Sequence, residues 1–462
     1  MLLVFFAPVV SFCQAQWSHS GYATVADPPT GNKGPKIGVF DDGTALVFWG
    51  QTGGKLWVAR ETLAGGFLDP VEVDAGGTTP FISSIEGPEL AVWGNDLAYI
   101  AFVTNSGQAW MARSSDGGMT WASDRMSPSG ASVILAQVGV DDSGHPIGAW
   151  LQDNGSSYSW EIARSTDFGA TFPTAVTANI SAAGFNVCEC CPSTLLFSGD
   201  TATLLFRNND SDIRDIWAAV STDGGASFPT AVDIDPTDWL ITGCPATGPD
   251  GFYGTDSIYT AWITGAFGGT ELWVSALDRE TQTAGAARMI PSSTARDPQL
   301  AGGQDALGNL YGVVWHVPGP GSREVFFASP SREVGSGNFA SPIRISDETA
   351  LASYADIAFK GDGSFSVVYE QAGTVQFVNV FLTAPTGLEV VQEDFARIWK
   401  HNDILQWQSD YQLRGIRVLD LSGREIVGID RPASSGSFPI QNLQYLIIEL
   451  ESETGIQRTL LP

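Results

Sequence analysis

Four cysteines form the part of this sequence with the clearest potential for chemistry. Cys188, Cys190 and Cys191 are near neighbours, and Cys244 lies further along the chain. An even number of cysteines in an exported chain favours disulfide bonds. The pairing expected here joins Cys191 to Cys244 and leaves Cys188 and Cys190 as a second pair or as free thiols. The alternative is a thiolate site for zinc or copper(I), because soft sulfur ligands select such ions and Cys-x-Cys-Cys is cramped for two disulfides. We favour disulfides over the metal.

A second candidate site is a short charged loop, residues 207–215. Its arginines and carboxylates are Arg207, Arg214, Asp210, Asp212 and Asp215. Arginines among such acceptors can clamp a carboxylate or a sugar, and two carboxylates at a suitable separation can cleave a glycosidic bond. The alternative is a solvated loop whose charges pair with one another.

Single residues elsewhere complete the candidates. Trp239 can stack on a sugar ring or belong to the core, and His316 and Arg323 flank a Pro-Gly-Pro-Gly loop. Glu370 follows a strand-like run. The ligand-binding candidates are therefore Trp239, His316 and Arg323. The catalytic candidates are Arg207, Arg214, Asp210, Asp215 and Glu370.

A repeated octapeptide indicates what positions these residues. The pattern Ser-x-Asp-x-Gly-x-Thr/Ser-aromatic begins at residues 114, 165 and 221. Its defining residues are Ser114, Asp116, Gly118, Trp121, Ser165, Asp167, Gly169, Phe172, Ser221, Asp223, Gly225 and Phe228. The Asp can close a turn by accepting backbone N–H bonds, and the Gly can adopt a positive φ. Three copies in phase predict an internal repeat.

This octapeptide resembles the Asp-box, or BNR repeat, of the sialidase superfamily. The resemblance covers roughly residues 20–383 and implies a β-propeller with six blades. It also implies that the Asp-box is a structural hairpin on the face away from the active site, so we assign its aspartates no chemistry.

The repeat itself predicts an all-β chain with seven blades. Seven segments share an apolar run, a polar or glycine turn and a second strand with an aromatic residue, which suits four-stranded propeller blades. We favour seven blades over six. The seventh blade lacks its outermost strand, and segment 21–25 can supply it and close the ring.

The repeat places the candidate residues on one face. Cys191-Pro192 and Cys244-Pro245 are aligned with Pro35 and other prolines at the start of an innermost strand. This alignment puts the cysteines, the loop 207–215, His316, Arg323 and Glu370 on the face opposite the Asp-boxes.

Sialidase catalysis, as the resemblance implies it, uses three arginines, an acid/base Asp and a Tyr–Glu pair. The first arginine of that family lies in an Arg-Ile-Pro stretch near the start. No Arg-Ile-Pro occurs in this chain, and no arginine precedes Arg60. The resemblance therefore carries over the fold and does not carry over the activity.

Composition restricts the partners. The net charge is −28, with only 23 Lys and Arg residues. Phosphate binding needs clustered cations, so nucleic acid and anionic membranes are excluded as expected partners. Residues 1–15 read as a signal peptide, and no other apolar segment is long enough for a membrane helix. We expect an exported monomer that is not an integral membrane protein.

The chain divides into residues 16–383, the propeller, and residues 384–462, a small β-sandwich. The second part contains Val418-Leu419-Asp420-Leu421-Ser422-Gly423-Arg424-Glu425 and a late Leu-x-Tyr-Leu-Ile strand. These stretches resemble the carboxy-terminal sorting domain of the type IX secretion system, which implies outer-membrane secretion machinery as a partner. An ordinary immunoglobulin-like module is the alternative.

The function predicted from the sequence is an exported or cell-surface propeller that binds a glycan or another extracellular ligand. One alternative is a divergent exo-sialidase-type glycoside hydrolase or a lyase. Another is a metal-binding surface protein built on the Cys-x-Cys-Cys cluster.

Overall fold

The structure is a computed structural model that describes most of the first 383 residues and the strands that follow. The described ranges are 16–26, 31–182, 186–292, 294–305, 308–319, 322–330, 339–347, 351–383, 396–401, 404–409, 413–419, 425–433, 435–439, 446–452 and 456–461. The predicted signal peptide, residues 1–15, lies outside them. Within these ranges no helix combines the length and the apolar character that crossing a membrane requires.

Each of the first four blades is an antiparallel four-stranded meander, and the blades follow one another in chain order. Two strands precede them, β1 (Gln16–His19) and β2 (Ala23–Ala26). Blade one contains β3 (Asn32–Val39), β4 (Ala45–Gln51), β5 (Lys55–Arg60) and β6 (Val71–Glu72). Blade two contains β7 (Glu89–Trp93), β8 (Leu97–Val103), β9 (Ala109–Ser114) and β10 (Ala122–Arg125). Blade three contains β11 (Val133–Val140), β12 (Pro146–Asp153), β13 (Tyr158–Arg164) and β14 (Ala175–Thr177), followed by a 3-10 turn, Asn179–Ser181. Blade four contains β15 (Thr194–Ser198), β16 (Thr201–Arg207), β17 (Ile216–Ser221) and β18 (Thr230–Asp233).

The remaining three blades complete the propeller. Blade five contains β19 (Asp250–Tyr253), β20 (Ser257–Thr264), β21 (Glu271–Asp278) and β22 (Arg288–Ile290). Blade six contains β23 (Arg296–Asp305), β24 (Gly308–Gly319), β25 (Ser322–Ala328) and β26 (Ile343–Arg344). Blade seven contains β27 (Ala352–Phe359), β28 (Phe365–Gln371) and β29 (Thr374–Thr383), with β1 and β2 in the same sheet.

Seven sheets confirm the blade count that the repeat predicts, and the six blades implied by the sialidase resemblance do not apply. The closing strand is also confirmed, because β2 pairs with β29 with Ala23 opposite Phe377. Strand β2, which precedes blade one in the chain, therefore joins the sheet of blade seven and closes the ring.

Alternating apolar residues pack neighbouring blades against each other. Strand residues point alternately to the two faces of a sheet, so each central strand contributes to two inter-blade cores. Leu135 and Trp160 of blade three pack with Leu204 and Phe206 of blade four. Phe48 of blade one packs in the same way with residues of blade two. This repeated burial holds the ring together through the hydrophobic effect.

The Asp-boxes close the hairpins between the third and fourth strands of blades two, three and four. In the first, the Asp116 carboxylate accepts hydrogen bonds from Thr120 N at 2.9 Å and Met119 N at 3.0 Å. Gly118 has a φ of 90° and donates its N–H to Ser114 Oγ at 2.9 Å. Trp121 then packs into the core between blades one and two. We call the face that carries these hairpins the Asp-box face, and the opposite face, where the innermost strands begin, the upper face.

The Asp-box carboxylates should titrate at unusually low pH. Hydrogen bonds donated by Thr171 and Ser165 lower the pKa of Asp167 to about 2, and those from Ser227 and Ser221 do the same for Asp223. Because these pKa values lie below the ordinary value, the ionised carboxylates stabilise the folded state above about pH 4. This contribution is lost as the pH falls through about 2. Carbon-13 NMR of the side-chain carboxyls measures both midpoints directly.

The variant Ser165→Ala should raise the midpoint of Asp167 toward its ordinary value of 3.8. Asp223, in the next blade, should stay near 2 in the same sample and acts as the internal control. An Asp167 midpoint near 3.8 in the wild type would contradict this account of the turn.

Blade five begins later than the sequence alignment predicts. Its innermost strand starts at Asp250, so Pro249 rather than Pro245 stands at the start of the strand. The alignment of Cys244-Pro245 with Cys191-Pro192 was therefore wrong. Cys244 lies six residues before the start of β19, whereas Cys191 lies three residues before the start of β15, so the two cysteines do not share a repeat position.

The carboxy-terminal strands form a separate unit with two sheets. The strands are β30 (Ala396–His401), β31 (Ile404–Ser409), β32 (Leu413–Leu419), β33 (Glu425–Asp430), β34 (Ser435–Pro439), β35 (Leu446–Ser452) and β36 (Ile456–Leu461). One sheet has the order β30-β31-β34 and the other β33-β32-β35-β36. The predicted hairpin turn at 420–424 lies outside the described residues, so the sorting domain stays a prediction.

Candidate functional site

The seven innermost strands line a central channel with a cavity of about 350 Å³. One polar side chain of each strand stands at an equivalent position of the repeat. These residues are Lys36, Glu89, Gln137, Thr194, Asp250, Gln299 and Asp356, and we call them the channel ring.

Carboxylates of the channel ring join neighbouring blades. Asp356 Oδ2 accepts the backbone N–H of Ile37 at 2.7 Å, which links blade seven to blade one. Asp250 Oδ2 accepts the N–H of Leu300 in blade six at 2.7 Å. Asp250 Oδ1 accepts the hydroxyl of Thr194 in blade four at 2.9 Å. The acids therefore satisfy backbone groups that the innermost strands leave unpaired.

Lys36 is the single cation of the channel ring. Its Nζ lies 2.8 Å from Glu89 Oε2. Burial opposes its charge, but the nearby Glu89 and Asp356 carboxylates outweigh burial and raise the pKa of Lys36. Burial raises the pKa of Asp356 to about 7 despite Lys36. One buried cation thus stabilises a group of acids that outnumber it.

The channel ring was not predicted from the sequence. The signal was present, because Pro35-Lys36-Ile37, Pro88-Glu89-Leu90 and Pro298-Gln299-Leu300 share a proline, a polar residue and an aliphatic residue at the same repeat position. A charged residue at the start of an apolar strand resembles an ordinary strand boundary. Only the closed ring shows that these side chains face each other.

Four of the residues at the channel mouth between blades six and seven form a second polar group. His316 is 5% exposed, and its Nδ1 lies 3.7 Å from Asp297 Oδ2. Its ring is 5.1 Å from that of Tyr354, edge to face. Glu370 also contributes to the charge around Tyr354. We call His316, Asp297, Tyr354 and Glu370 the mouth cluster.

Backbone irregularities position the mouth cluster. The register of β23 shifts between Arg296 and Gln299, and that of β27 shifts between Ser353 and Asp356. Asp297 and Tyr354 lie inside these bulges with φ values of 44° and 51°. Positive φ is costly for residues with a Cβ, and bulges redirect side chains. The two side chains are thereby turned toward the channel, which both line.

Burial changes the protonation of the mouth cluster. It lowers the pKa of His316 to about 4, with help from the positive charges of Arg323 and Arg296. The His316 imidazole is therefore neutral at pH 7, and its Nδ1 has no hydrogen-bond partner among the described residues. Burial also raises the pKa of Asp297 to about 6 and raises the pKa of Glu370.

Arg323 and Glu370 occupy the edges of this group. Arg323 is exposed at the start of β25 and forms a bridge with Leu351. Glu370 Oε1 accepts the N–H of Gly34 in blade one at 2.6 Å. The structure thus brings together three of the sequence-predicted residues, His316, Arg323 and Glu370, and adds Asp297 and Tyr354.

We call residues 207–215, which join β16 to β17, the arginine loop. This loop forms a different set of contacts. Arg207 is 1% exposed, and it donates hydrogen bonds to the carbonyls of Thr247 at 3.1 Å, Arg214 at 2.6 Å and Ile263 at 2.9 Å. Its guanidinium lies 5.2 Å from the ring of the buried Trp239. Arg207 therefore fixes the loop to blade five through the backbone.

The remaining residues of the arginine loop also contact the protein. Arg214 is 3% exposed and forms an ion pair with Glu189 at 2.8 Å. Asp215 accepts the N–H of Trp239 at 2.9 Å, and burial raises its pKa to about 7. Asp210 forms a backbone bridge with Ile213, and Asp212 has a φ of 70° in the turn between them. The loop is a tight turn with its arginines directed inward.

The four cysteines lie together beside the arginine loop, with all sulfurs within 4.8 Å of one another. The structure pairs Cys188 with Cys191 and Cys190 with Cys244, with Cα separations of 5.4 and 6.4 Å. The predicted pairing of Cys191 with Cys244 was therefore wrong. Cys244 lies further from its innermost strand than the alignment assumed and is paired with Cys190.

Comparison with known proteins adds information on the fold. No family model matches this chain, and no curated protein matches it. Solved structures do match. A lectin from Burkholderia pseudomallei superposes with a TM-score of 0.54 and 14% identity over 81% of this chain and 97% of the lectin. An ulvan lyase, described as a polysaccharide lyase, superposes with a TM-score of 0.53 and 10% identity over 78% of this chain and 95% of the lyase.

The shared feature is the propeller fold. At identities of 14% and 10%, the likeness carries no residue of a binding or catalytic site from these structures to this chain.

Proposed function

We propose that this chain is an exported carbohydrate-binding propeller whose glycan site is the upper mouth of the channel between blades six and seven. The observation that carries the proposal is the mouth cluster, in which a buried histidine, two acids and a tyrosine converge beside the cavity. Two of its residues, Asp297 and Tyr354, hold positive φ angles. Strained backbone of this kind concentrates at functional sites.

The chemistry of the mouth cluster suits a sugar. Carbohydrates combine apolar ring faces with dense hydroxyl groups, so a site needs an aromatic surface beside hydrogen-bond acceptors and donors. Tyr354 is partly exposed and offers a ring face. Asp297 and Glu370 offer acceptors, and Arg323 offers donors at the rim. The cavity of about 350 Å³ is within the usual range for small-molecule sites.

Two further points support the proposal. The propellers that superpose with this chain include a lectin and a polysaccharide lyase. The predicted signal peptide and sorting domain would deliver the protein outside the cell, where polysaccharides are abundant. Delivery by type IX secretion and membership of the sialidase superfamily belong to this proposal.

Cleavage of the bound glycan is a second candidate function. The observation that favours it is the protonation of Asp297, whose pKa of about 6 lets it hold a proton just below neutral pH. A general acid is most effective when its pKa lies near the working pH. Glu370, whose pKa is also raised by burial, is the second carboxyl of the same mouth.

Glycan binding should depend on the tyrosine of the mouth cluster. Screening the mature protein on a glycan array should identify a ligand, and Tyr354→Ala should weaken its binding by about tenfold or more, equivalent to about 1.4 kcal/mol. Tyr354→Phe should retain most of the binding, because it keeps the ring. Isothermal titration calorimetry with the best ligand measures the three affinities.

The matched control is Phe168→Ala, which removes an exposed aromatic ring, 47% exposed, from the Asp-box face. It should leave the affinity unchanged. Equal losses of affinity in Tyr354→Ala and Phe168→Ala, or the absence of any bound glycan, would reject the mouth cluster as a glycan site. Reducing ends or unsaturated products released by the wild type, and absent with Asp297→Asn, would establish the cleavage activity.

A further inference from the structure

The four cysteines have the geometry of a metal site as well as that of two disulfides. Cys188 Sγ lies 3.7 Å and Cys191 Sγ lies 3.9 Å from Cys244 Sγ, although neither is bonded to it. Four sulfurs about 2.3 Å from a central zinc ion at tetrahedral angles lie about 3.8 Å from one another. The two sulfur–sulfur distances between the disulfides therefore match the edge length of that tetrahedron.

Hydrogen-bond donors point at two of the sulfurs. The N–H of Ala246 is 3.3 Å from Cys244 Sγ, and Arg214 Nη1 is 3.3 Å from Cys188 Sγ. Ala246 has a φ of 51°, an unfavourable angle for alanine, and this conformation accompanies its N–H contact with the sulfur. N–H donors and a neighbouring cation stabilise a thiolate more than a disulfide sulfur, which carries no charge.

The surrounding structure holds both cysteine segments in place. Cys188 donates its N–H to the carbonyl of Arg207 at 2.9 Å, which anchors the first segment to the end of β16. Arg214 Nε donates to the carbonyl of Ile241 at 3.2 Å, which anchors the second. Because these anchors do not involve sulfur bonds, the thiols should remain close together after reduction.

We propose that the reduced protein binds one Zn²⁺ through Cys188, Cys190, Cys191 and Cys244, and that the zinc-bound and doubly disulfide-bonded forms are alternative states of one site. Two equivalents of a dithiol supply four electrons and four protons to the two disulfides and give four thiols and two oxidised dithiols. Zn²⁺ then binds the four sulfurs, and their four protons pass to solvent. Arg214 offsets part of the negative charge of the resulting thiolate site.

This site is independent of the proposed glycan function. Zinc binding involves the cysteines beside the arginine loop of blade four, whereas the mouth cluster lies on blades six and seven. Loss of either activity therefore leaves the other measurable.

The test uses the full chain expressed without export, reduced with a dithiol, freed of reductant under nitrogen and titrated with zinc chloride. Native mass spectrometry should show one zinc per reduced chain and none in the oxidised chain. Addition of cobalt(II) instead of zinc should give the intense visible absorption of tetrahedral thiolate coordination. A reduced chain that binds no zinc overturns the proposal.

Thiol alkylation read by peptide mapping gives a measurement on the wild type that does not depend on a variant. Zinc should protect all four cluster cysteines from alkylation, and the same reduced chain without zinc should be alkylated at all four. Protection of only two or three cysteines, or of none, overturns the four-thiolate site. The variant Cys188→Ser should lose the tetrahedral cobalt spectrum, and an unchanged spectrum would contradict the assignment.

Discussion

Replacing Lys36 by methionine is expected to destabilise the propeller by about 3 kcal/mol at pH 7. Lys36 forms an ion pair with Glu89 at 2.8 Å, with side chains only 17% and 15% exposed. Removing it leaves Glu89, Asp250 and Asp356 without the single cation of the channel ring. Uncompensated buried charge is among the most destabilising changes a single substitution can produce.

The chain offers a matched control in Lys55→Met. Lys55 forms an ion pair with Glu72 at 2.9 Å, nearly the same length, but these side chains are 51% and 48% exposed. Surface pairs contribute about 0–1 kcal/mol. Urea unfolding followed by tryptophan fluorescence compares the two variants, and equal losses of stability would show that the channel ring does not depend on its cation.

The effect of Lys36→Met should grow as the pH rises. In the wild type, burial raises the pKa of Asp356 to about 7 from an ordinary value of 3.8. A carboxyl with a raised pKa in the folded state contributes its full stability below about pH 4 and loses it as the pH rises through about 7. Without Lys36 the acids hold their protons to still higher pH. The variant should therefore approach wild-type stability at pH 4 and fall furthest behind it at pH 8.

Asp356→Asn in the Lys36→Met background should restore part of the lost stability. The amide occupies the same space, carries no charge and needs no proton to be buried, so the energetic cost of burying one of the three acids disappears. A double variant less stable than Lys36→Met would indicate that the hydrogen bond from Ile37 N to Asp356, at 2.7 Å, matters more than the charge balance.

The fold was predictable from the sequence because blade formation is local. Each unit places an apolar strand, a turn and a second strand within a short stretch, and the Asp-box residues mark three of the hairpins. The outermost strands were harder to recognise, since β6 and β26 have only two residues each. The closing strand was found because the seventh unit visibly lacked one.

The candidate site was less predictable because its contacts are distant in the sequence. Arg207 bonds to Thr247 and Ile263, 40 and 56 residues away, and nothing near Arg207 indicates those carbonyls. The cysteine pairing was wrong because Cys244 lies six residues before its innermost strand, whereas Cys191 lies three residues before its own. Tyr354 and Asp297 reach the channel through bulges, which strand periodicity does not reveal.

Arg207→Lys is expected to destabilise the protein by about 3 kcal/mol although it keeps the positive charge. The guanidinium satisfies three carbonyls at 2.6–3.1 Å in a site 1% exposed to solvent. An ammonium group has a different geometry and cannot reproduce the planar fork that contacts all three. At least one buried carbonyl is then left without a donor.

Arg207→Met should destabilise the folded protein more than Arg207→Lys does. Burial lowers the pKa of Arg207 to about 10, while nearby Asp235 and Asp215 favour its charge. These two side chains are 1% and 2% exposed. Without the guanidinium both lose the positive charge of Arg207, so the variant should unfold at lower urea concentration than Arg207→Lys.

Arg279→Lys is the control that separates burial from residue type. Arg279 also lies over an aromatic ring, 4.8 Å from that of Tyr253, and donates to the carbonyl of Gly254 at 3.2 Å. It is only half-buried, so water can replace its lost hydrogen bonds, and the cost should stay under about 1 kcal/mol. If Arg207→Lys is as mild as Arg279→Lys but weakens glycan binding, then Arg207 contacts the ligand. If it lowers stability alone, the arginine loop is part of the framework, as its inward hydrogen bonds indicate.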